Sequence, residues 1–208
     1  MTPGLRVIEL AEGVAGPLAG ARLAELGATV IKVEPSQGDW LRAAAPAMPG
    51  SDDSTVFWHL NRGKRSLALG DQPGAAAPLL QALLAQADVL ITDRDDAQLR
   101  ALGLDALAGD DCPDWPRLIR IHITPWGRHG PIRHYQGSEL TAQAMAGYTR
   151  YLGRHGEPSL RLGADVASTG TGVFATQAVL AALLARRRSG AGQRIDLSLY
   201  NTLLSLKS

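Results

Sequence analysis

Along the first half of the chain, apolar residues fall in short unbroken runs that alternate with amphipathic stretches. Leu5 to Leu10 is short, apolar and rich in branched residues, and predicts a strand. Gly13 to Gly16 breaks the pattern. Pro17 suits the first turn of a helix, where a missing N–H leaves nothing unpaired. Leu18 to Leu26 continues that helix, and Gly27 ends it. Thr29 to Val33 predicts a second strand. Strand, glycine loop, helix, glycine and strand in that order make a βαβ unit. Parallel strands buried on both faces carry such continuous apolar runs. Residues 35 to 56 form a polar connection with Pro35, Pro46, Pro49 and Gly50. Ser66 to Leu69, Asp88 to Thr92 and Arg117 to Ile123 predict further strands; Ala75 to Gln86 and Asp95 to Leu102 predict helices. The repeated alternation predicts an α/β fold, a Rossmann-like, doubly wound, mostly parallel sheet.

After Pro125 the texture changes. Gly127, Gly130 and Pro131 mark a loop, and Ser138 to Ala146 predicts a helix with Ser138 as its N-cap. Gly153 to Gly163 is another loop. Thr171 to Arg188 predicts a long helix; Arg186, Arg187 and Arg188 complement its C-terminal dipole, and Gly190 stops it. Gln193 to Leu199 alternates as a half-buried strand does, and a last helix begins at Asn201. The pattern divides the chain into a Rossmann-like part, residues 1–125, and a second segment, 126–208, containing a helical stretch and a further strand.

Composition narrows the function classes. Of 208 residues, 45% are hydrophobic and 20% charged, with a formal net charge of +1. That is globular, and no basic block stands beside aromatics, so neither nucleic acid nor another polyanion is an expected partner. One cysteine, Cys112, permits no disulfide framework within the chain and suits a reducing compartment. The N-terminus lacks a basic stretch followed by an apolar one, and the apolar run Val173 to Ala185 is short for a bilayer. A cytoplasmic location without membrane contact is the expectation. The five histidines, His59, His122, His129, His134 and His155, show no metal-ligand spacing, so no metal site is expected.

Three segments carry candidate chemistry. The loop Gly13-Val14-Ala15-Gly16-Pro17 follows a strand and opens a helix, a position that presents backbone N–H groups to an anion; a plain βα turn reads the same way. The dinucleotide-binding glycine pattern is absent. Asn61-Arg62-Gly63-Lys64-Arg65-Ser66 concentrates cations beside a glycine, which suits phosphate groups or a solvated turn. Asp165, in Gly163-Ala164-Asp165, precedes the small-residue run Ala167 to Gly172 that leads into the long helix. Small neighbours leave room for a ligand to reach its carboxylate, whereas a simple N-cap also accounts for an aspartate there.

In this order and spacing the segments resemble the class III coenzyme A (CoA) transferases. The resemblance is carried by Arg6 to Leu10, Val14 to Pro17, Leu26 to Glu34, Gly38-Asp39-Trp40-Leu41-Arg42, Asn61 to Ser66, Gly163 to Asp165 and Gly190 to Asp196. It covers essentially the whole chain and matches the family's N-terminal half. The resemblance implies an acyl-CoA:carboxylate CoA-transferase with Asp165 as nucleophile, forming an aspartyl covalent intermediate. It implies that Val14, Ala15 and Gly16 hold CoA with Lys64, that Arg65 stands close by, and that Asp93 and Arg94 lie near the adenine end. CoA and acyl-CoA enter as substrates alongside a carboxylic acid, with no permanently bound cofactor. Ser138 stands where the family's racemases place an acid/base histidine, which argues against racemisation. Family members are longer and form interlocked homodimers. The resemblance therefore implies a glycine-rich loop, a small domain and a return segment supplied from elsewhere, by more chain or a partner. A non-catalytic CoA-binding half is the rival expectation.

Overall fold

In the computed structural model, which describes residues 4–70, 76–154 and 156–207, one six-stranded sheet organises the chain. The predicted βαβ unit is β1 (Arg6–Leu10), α1 (Ala15–Glu25) and β2 (Thr29–Glu34). α2 (Thr55–Asn61) leads into β3 (Arg65–Ala68), and α3 (Ala76–Leu84) into β4 (Val89–Thr92). Two short helices follow, α4 (Asp96–Ala101) and α5 (Asp105–Ala108), before β5 (Ile119–Thr124). Then come α6 (Glu139–Met145), α7 (Val166–Ser189), β6 (Arg194–Ser198) and α8 (Leu199–Leu206). Every pairing is parallel, in the order β3-β2-β1-β4-β5-β6.

Alternation along each strand sends neighbouring side chains to opposite faces. Val7, Val89, Ile119 and Ile121 join Leu23 of α1 and Ala175 and Val179 of α7 on one face. Ile8 and Leu90 pack with Leu80, Leu84, Leu99 and Leu107 on the other. Helices cover both faces, so the strands need no polar side, as their sequence implied. From β1 the chain steps outward to β3, then returns to the opposite side of β1 for β4. The space beyond the C-terminal ends of β1 and β4 is thus a topological switch point, where doubly wound sheets bind ligands.

Differences from the sequence expectation have local causes. Helix α7 starts at Val166, ahead of the predicted Thr171. Its small residues read as a lead-in, yet they lie inside the helix because two neighbours crowd it. A Cβ on Gly172 would fall 2.7 Å from the Ala15 carbonyl and 2.9 Å from Leu18 Cβ, and one on Gly170 would fall 2.8 Å from Thr202. Close approach of α1 and α8 offsets the roughly 1 kcal/mol that each helical glycine costs. The polar connection contains a 3₁₀ turn, Trp40–Ala43, and ends in α2; Asp39 and Ser54 cap them, each accepting a backbone N–H. Ser198 likewise caps α8, which starts ahead of Asn201. In length and apolar composition α7 would suffice to cross a bilayer, but here its Ala167, Ala175, Val179 and Ala182 stripe is buried against the sheet and α1. The predicted helix start at Ala75 and the residue His155 lie outside the described residues.

Candidate active site

A cleft of about 680 Å³ opens at the switch point. One wall is the turn after β1 and the start of α1: Gly13, Val14, Ala15 and Gly16. Gly13 has φ of +72°, the left-handed region that favours glycine. A Cβ on Gly16 would fall 2.4 Å from Ala11 Cβ, so the turn admits no larger residue there. No side chain caps α1, which leaves its first-turn amides free to meet an acceptor in the cleft. Trp40 and Val56 edge the mouth, Asp93 lies beyond β4, and Ser138, Glu139, Arg161 and Asp165 form the facing wall.

Asp165 occupies the N-cap position of α7, and its carbonyl accepts the Thr169 amide at 2.9 Å. Its side chain makes no capping hydrogen bond. The carboxylate, 40% exposed, instead pairs with Arg161. The cap is supplied by Glu139, from α6. Its carboxylate accepts the amides of Ala167 at 2.9 Å and Ser168 at 2.8 Å, and the Ser168 hydroxyl at 2.6 Å. Burial pushes the Glu139 carboxyl up, but Ser168, Gln143 and the two amides outweigh it and hold it below the ordinary carboxylate range. Gln143, one turn on, donates to Glu139 at 2.8 Å and to the Ala164 carbonyl at 3.1 Å, and accepts the Leu162 amide at 3.0 Å. Two side chains of α6 thereby hold the strand of backbone that carries Asp165. Sequence reasoning missed both. The available signal was their i, i+4 spacing on a helix whose Ser138 cap was recognised. Ser138 itself is exposed and closes a capping box with Thr141.

Asp93 accepts the Glu12 amide at 2.9 Å. Its Oδ1 is sealed without a hydrogen-bond partner, although a third of the side chain is open. Burial, only partly offset by Arg94, pushes its carboxyl up to about 6. Arg94 pairs with Glu12 and lies 3.6 Å from Asp93. Val14, Ala15, Gly16, Asp93 and Asp165 therefore share the cleft, with Arg94 behind its rim.

Lys64 and Arg65 lie elsewhere. The Lys64 side chain is 2% exposed; its ammonium lies 2.7 Å from Glu9 Oε2 as an ion pair and donates to the Pro17 carbonyl at 2.8 Å and to Asn61 at 2.8 Å. Burial pulls it down to about 8 against the opposing pull of Glu9. Lys64 thus supports α1 from beneath, and touching a phosphate requires releasing one of these partners. Arg65 is exposed at the start of β3, in a groove with Arg6 and Leu83. Among the described residues no cluster of three His, Cys, Asp or Glu is arranged to hold a metal. Cys112 is partly buried, and burial pushes its thiol up.

Comparison with known proteins identifies the family and the fold. The family model for CoA-transferase family III matches residues 3–208. A succinate–glutarate CoA-transferase of Agrobacterium fabrum is 38% identical over 204 residues, which is 95% of this chain and 50% of the relative. A formyl-CoA:oxalate CoA-transferase of Streptomyces avermitilis is 32% identical over 98% of this chain and 49% of its own length. The crystal structure of a CAIB/BAIF family protein from Brucella suis has a TM-score of 0.90 at 33% identity, over 99% of this chain and 55% of that one. The chain spans about half the length of the curated relatives it matches.

Proposed function

We propose that this chain, which belongs to CoA-transferase family III, is one half of an active site that moves CoA from an acyl thioester to a carboxylic acid through Asp165. One observation carries the reading: the Asp165 carboxylate faces the cleft while Glu139 does the capping. A carboxylate relieved of a structural task and left open is available for chemistry. The adjacent α7 N-terminus favours its negative charge, and Arg161 orients it until substrate displaces that contact.

The transfer runs in balanced steps. An Asp165 oxygen attacks the thioester carbonyl carbon, the C–S bond breaks, and CoA leaves as a thiolate, giving a mixed anhydride. The thiolate attacks the aspartyl carbonyl and releases the donor acid, leaving an aspartyl–CoA thioester. The acceptor carboxylate attacks that thioester, and the expelled thiolate returns to the acceptor's acyl carbon, freeing Asp165. Splitting the exchange in this way replaces one difficult step with easier ones. Val14, Ala15 and Gly16 would hold the CoA arm, with Asp93 and Arg94 toward its far end. Lys64 would act through Pro17 rather than on phosphate. The succinate–glutarate and formyl-CoA:oxalate relatives support carboxylic acids as the exchange partners. We also propose that further protein, in the same chain or a partner, completes the site, since Leu184, Leu206 and Met145 leave apolar surface exposed.

The test uses the active assembly containing this chain. Incubation with an acyl-CoA, rapid quench and digestion should give a peptide containing residue 165 that carries hydroxylamine- or borohydride-sensitive mass. Asp165→Asn should fold normally, since its cap is elsewhere, and lose transfer by several orders of magnitude. An active enzyme whose Asn variant still turns over refutes the assignment.

A further inference from the structure

Under the glycine turn lies a file of buried charges that the transfer steps do not use. Glu9 Oε1 faces Lys32 Nζ at 3.1 Å, and the same ammonium lies 2.8 Å from Asp39; these side chains are 0, 2 and 0% exposed. Lys32 also donates to the Ala11 carbonyl at 2.8 Å. Burial pulls the Lys32 ammonium down, but Glu9 and Asp39 more than reverse this and leave it raised, a cation held firmly.

Asp39 makes the connections of interest. Its carboxylate accepts the Gly13 amide at 3.1 and 3.3 Å and the Leu41 amide at 2.9 Å. Gly13 belongs to the turn that opens α1, and Leu41 to the turn Trp40–Ala43. The Trp40 indole, 61% exposed, leans over Gly13: a Cβ there would fall 2.7 Å from Trp40 Cζ2. Gly13 and Trp40 both line the cleft. One sealed carboxylate therefore ties together two segments of its mouth, 26 residues apart in sequence. A neutral acceptor would satisfy the same amides. A charge strengthens and so stiffens the attraction to both amides, at the expense of needing Lys32 beside it. Such stiffness has a use where a ligand must meet backbone amides in fixed positions.

We infer that Asp39, anchored by Lys32, is a positioning residue that fixes the glycine turn against Trp40 and so preorganises the CoA-binding wall. The inference rests on the CoA-transfer reading for its ligand, but the clamp itself is testable without one.

In the ligand-free active assembly, hydrogen exchange should find the Gly13 amide strongly protected, and free exchange there overturns the clamp. Asp39→Asn should speed that exchange and weaken coenzyme A binding, measured by calorimetry, by about tenfold, the equivalent of about 1.4 kcal/mol. The pair Lys32→Gln with Asp39→Asn keeps the amide acceptor and removes the unmatched cation, so it should recover most of the affinity even if the single variant folds poorly. Leu84→Ala, in the core of the opposite face, controls for lost stability alone. Unchanged exchange and affinity in folded Asp39→Asn, or an equal affinity loss in Leu84→Ala, refutes the positioning role. A wild-type assembly that binds no coenzyme A while Gly13 remains protected sinks the functional reading and leaves the clamp standing.

Discussion

His122 should make this protein acid-labile through a single side chain. It sits in the middle of β5, 2% exposed, beside Arg194, whose Nη2 lies 3.3 Å from Nδ1. A guanidinium only donates, so Nδ1 is the acceptor and the neutral ring carries its proton on Nε2, which has no hydrogen-bond partner. Burial first, then Arg194, Arg120 and Arg128, pulls its pKa down from 6.5 to about 3. The folded protein therefore binds fewer protons than the unfolded chain between those values, and stability falls as pH drops through that window. Above about pH 7 both states are neutral there and the effect vanishes. Linkage gives a loss of about 2 kcal/mol between pH 7 and pH 5 from this ring alone. His122→Gln keeps a neutral acceptor for Arg194 and cannot titrate. Denaturant unfolding of both proteins at pH 7 and pH 5 isolates the effect, because His59, His129 and His134 are exposed and common to both. The wild type should lose about 2 kcal/mol more than the variant on acidification. Parallel losses would show that the ring is not held neutral by its surroundings.

Glu139→Ala should destabilise the protein by about 1–3 kcal/mol, because two α7 amides and the Ser168 hydroxyl lose their acceptor; a denaturation midpoint unchanged from wild type would contradict the capping role. Lys64→Met should cost about 3 kcal/mol, since it removes one of two buried cations and leaves the sealed Glu9 and Asp39 carboxylates sharing Lys32 alone. Calorimetric titration of coenzyme A onto the same variant measures any direct part in binding, and a fully stable variant would refute the buried pairing.

Sequence periodicity by itself determined the fold class. Continuous apolar runs separated by glycine-punctuated amphipathic stretches admit few arrangements besides strands covered on both faces. Caps were legible where one residue does the work, as with Ser138 on α6 and Gly190 after α7. Asp165 was legible as a residue at the head of a helix, but not whether its side chain caps that helix. Glu139 decided this by reaching it from α6, across a gap of 28 residues to Ala167. Lys64 was legible as a cation beside a glycine, whereas its burial under α1 depends on Glu9, 55 positions earlier by their numbers. Asp39 read as part of a polar connection until its carboxylate was found between Gly13 and Leu41. The physical reason is common to all three. Propensity, periodicity and local caps act within a few residues of the chain, while the partner of a buried charge is set by sheet order and helix packing.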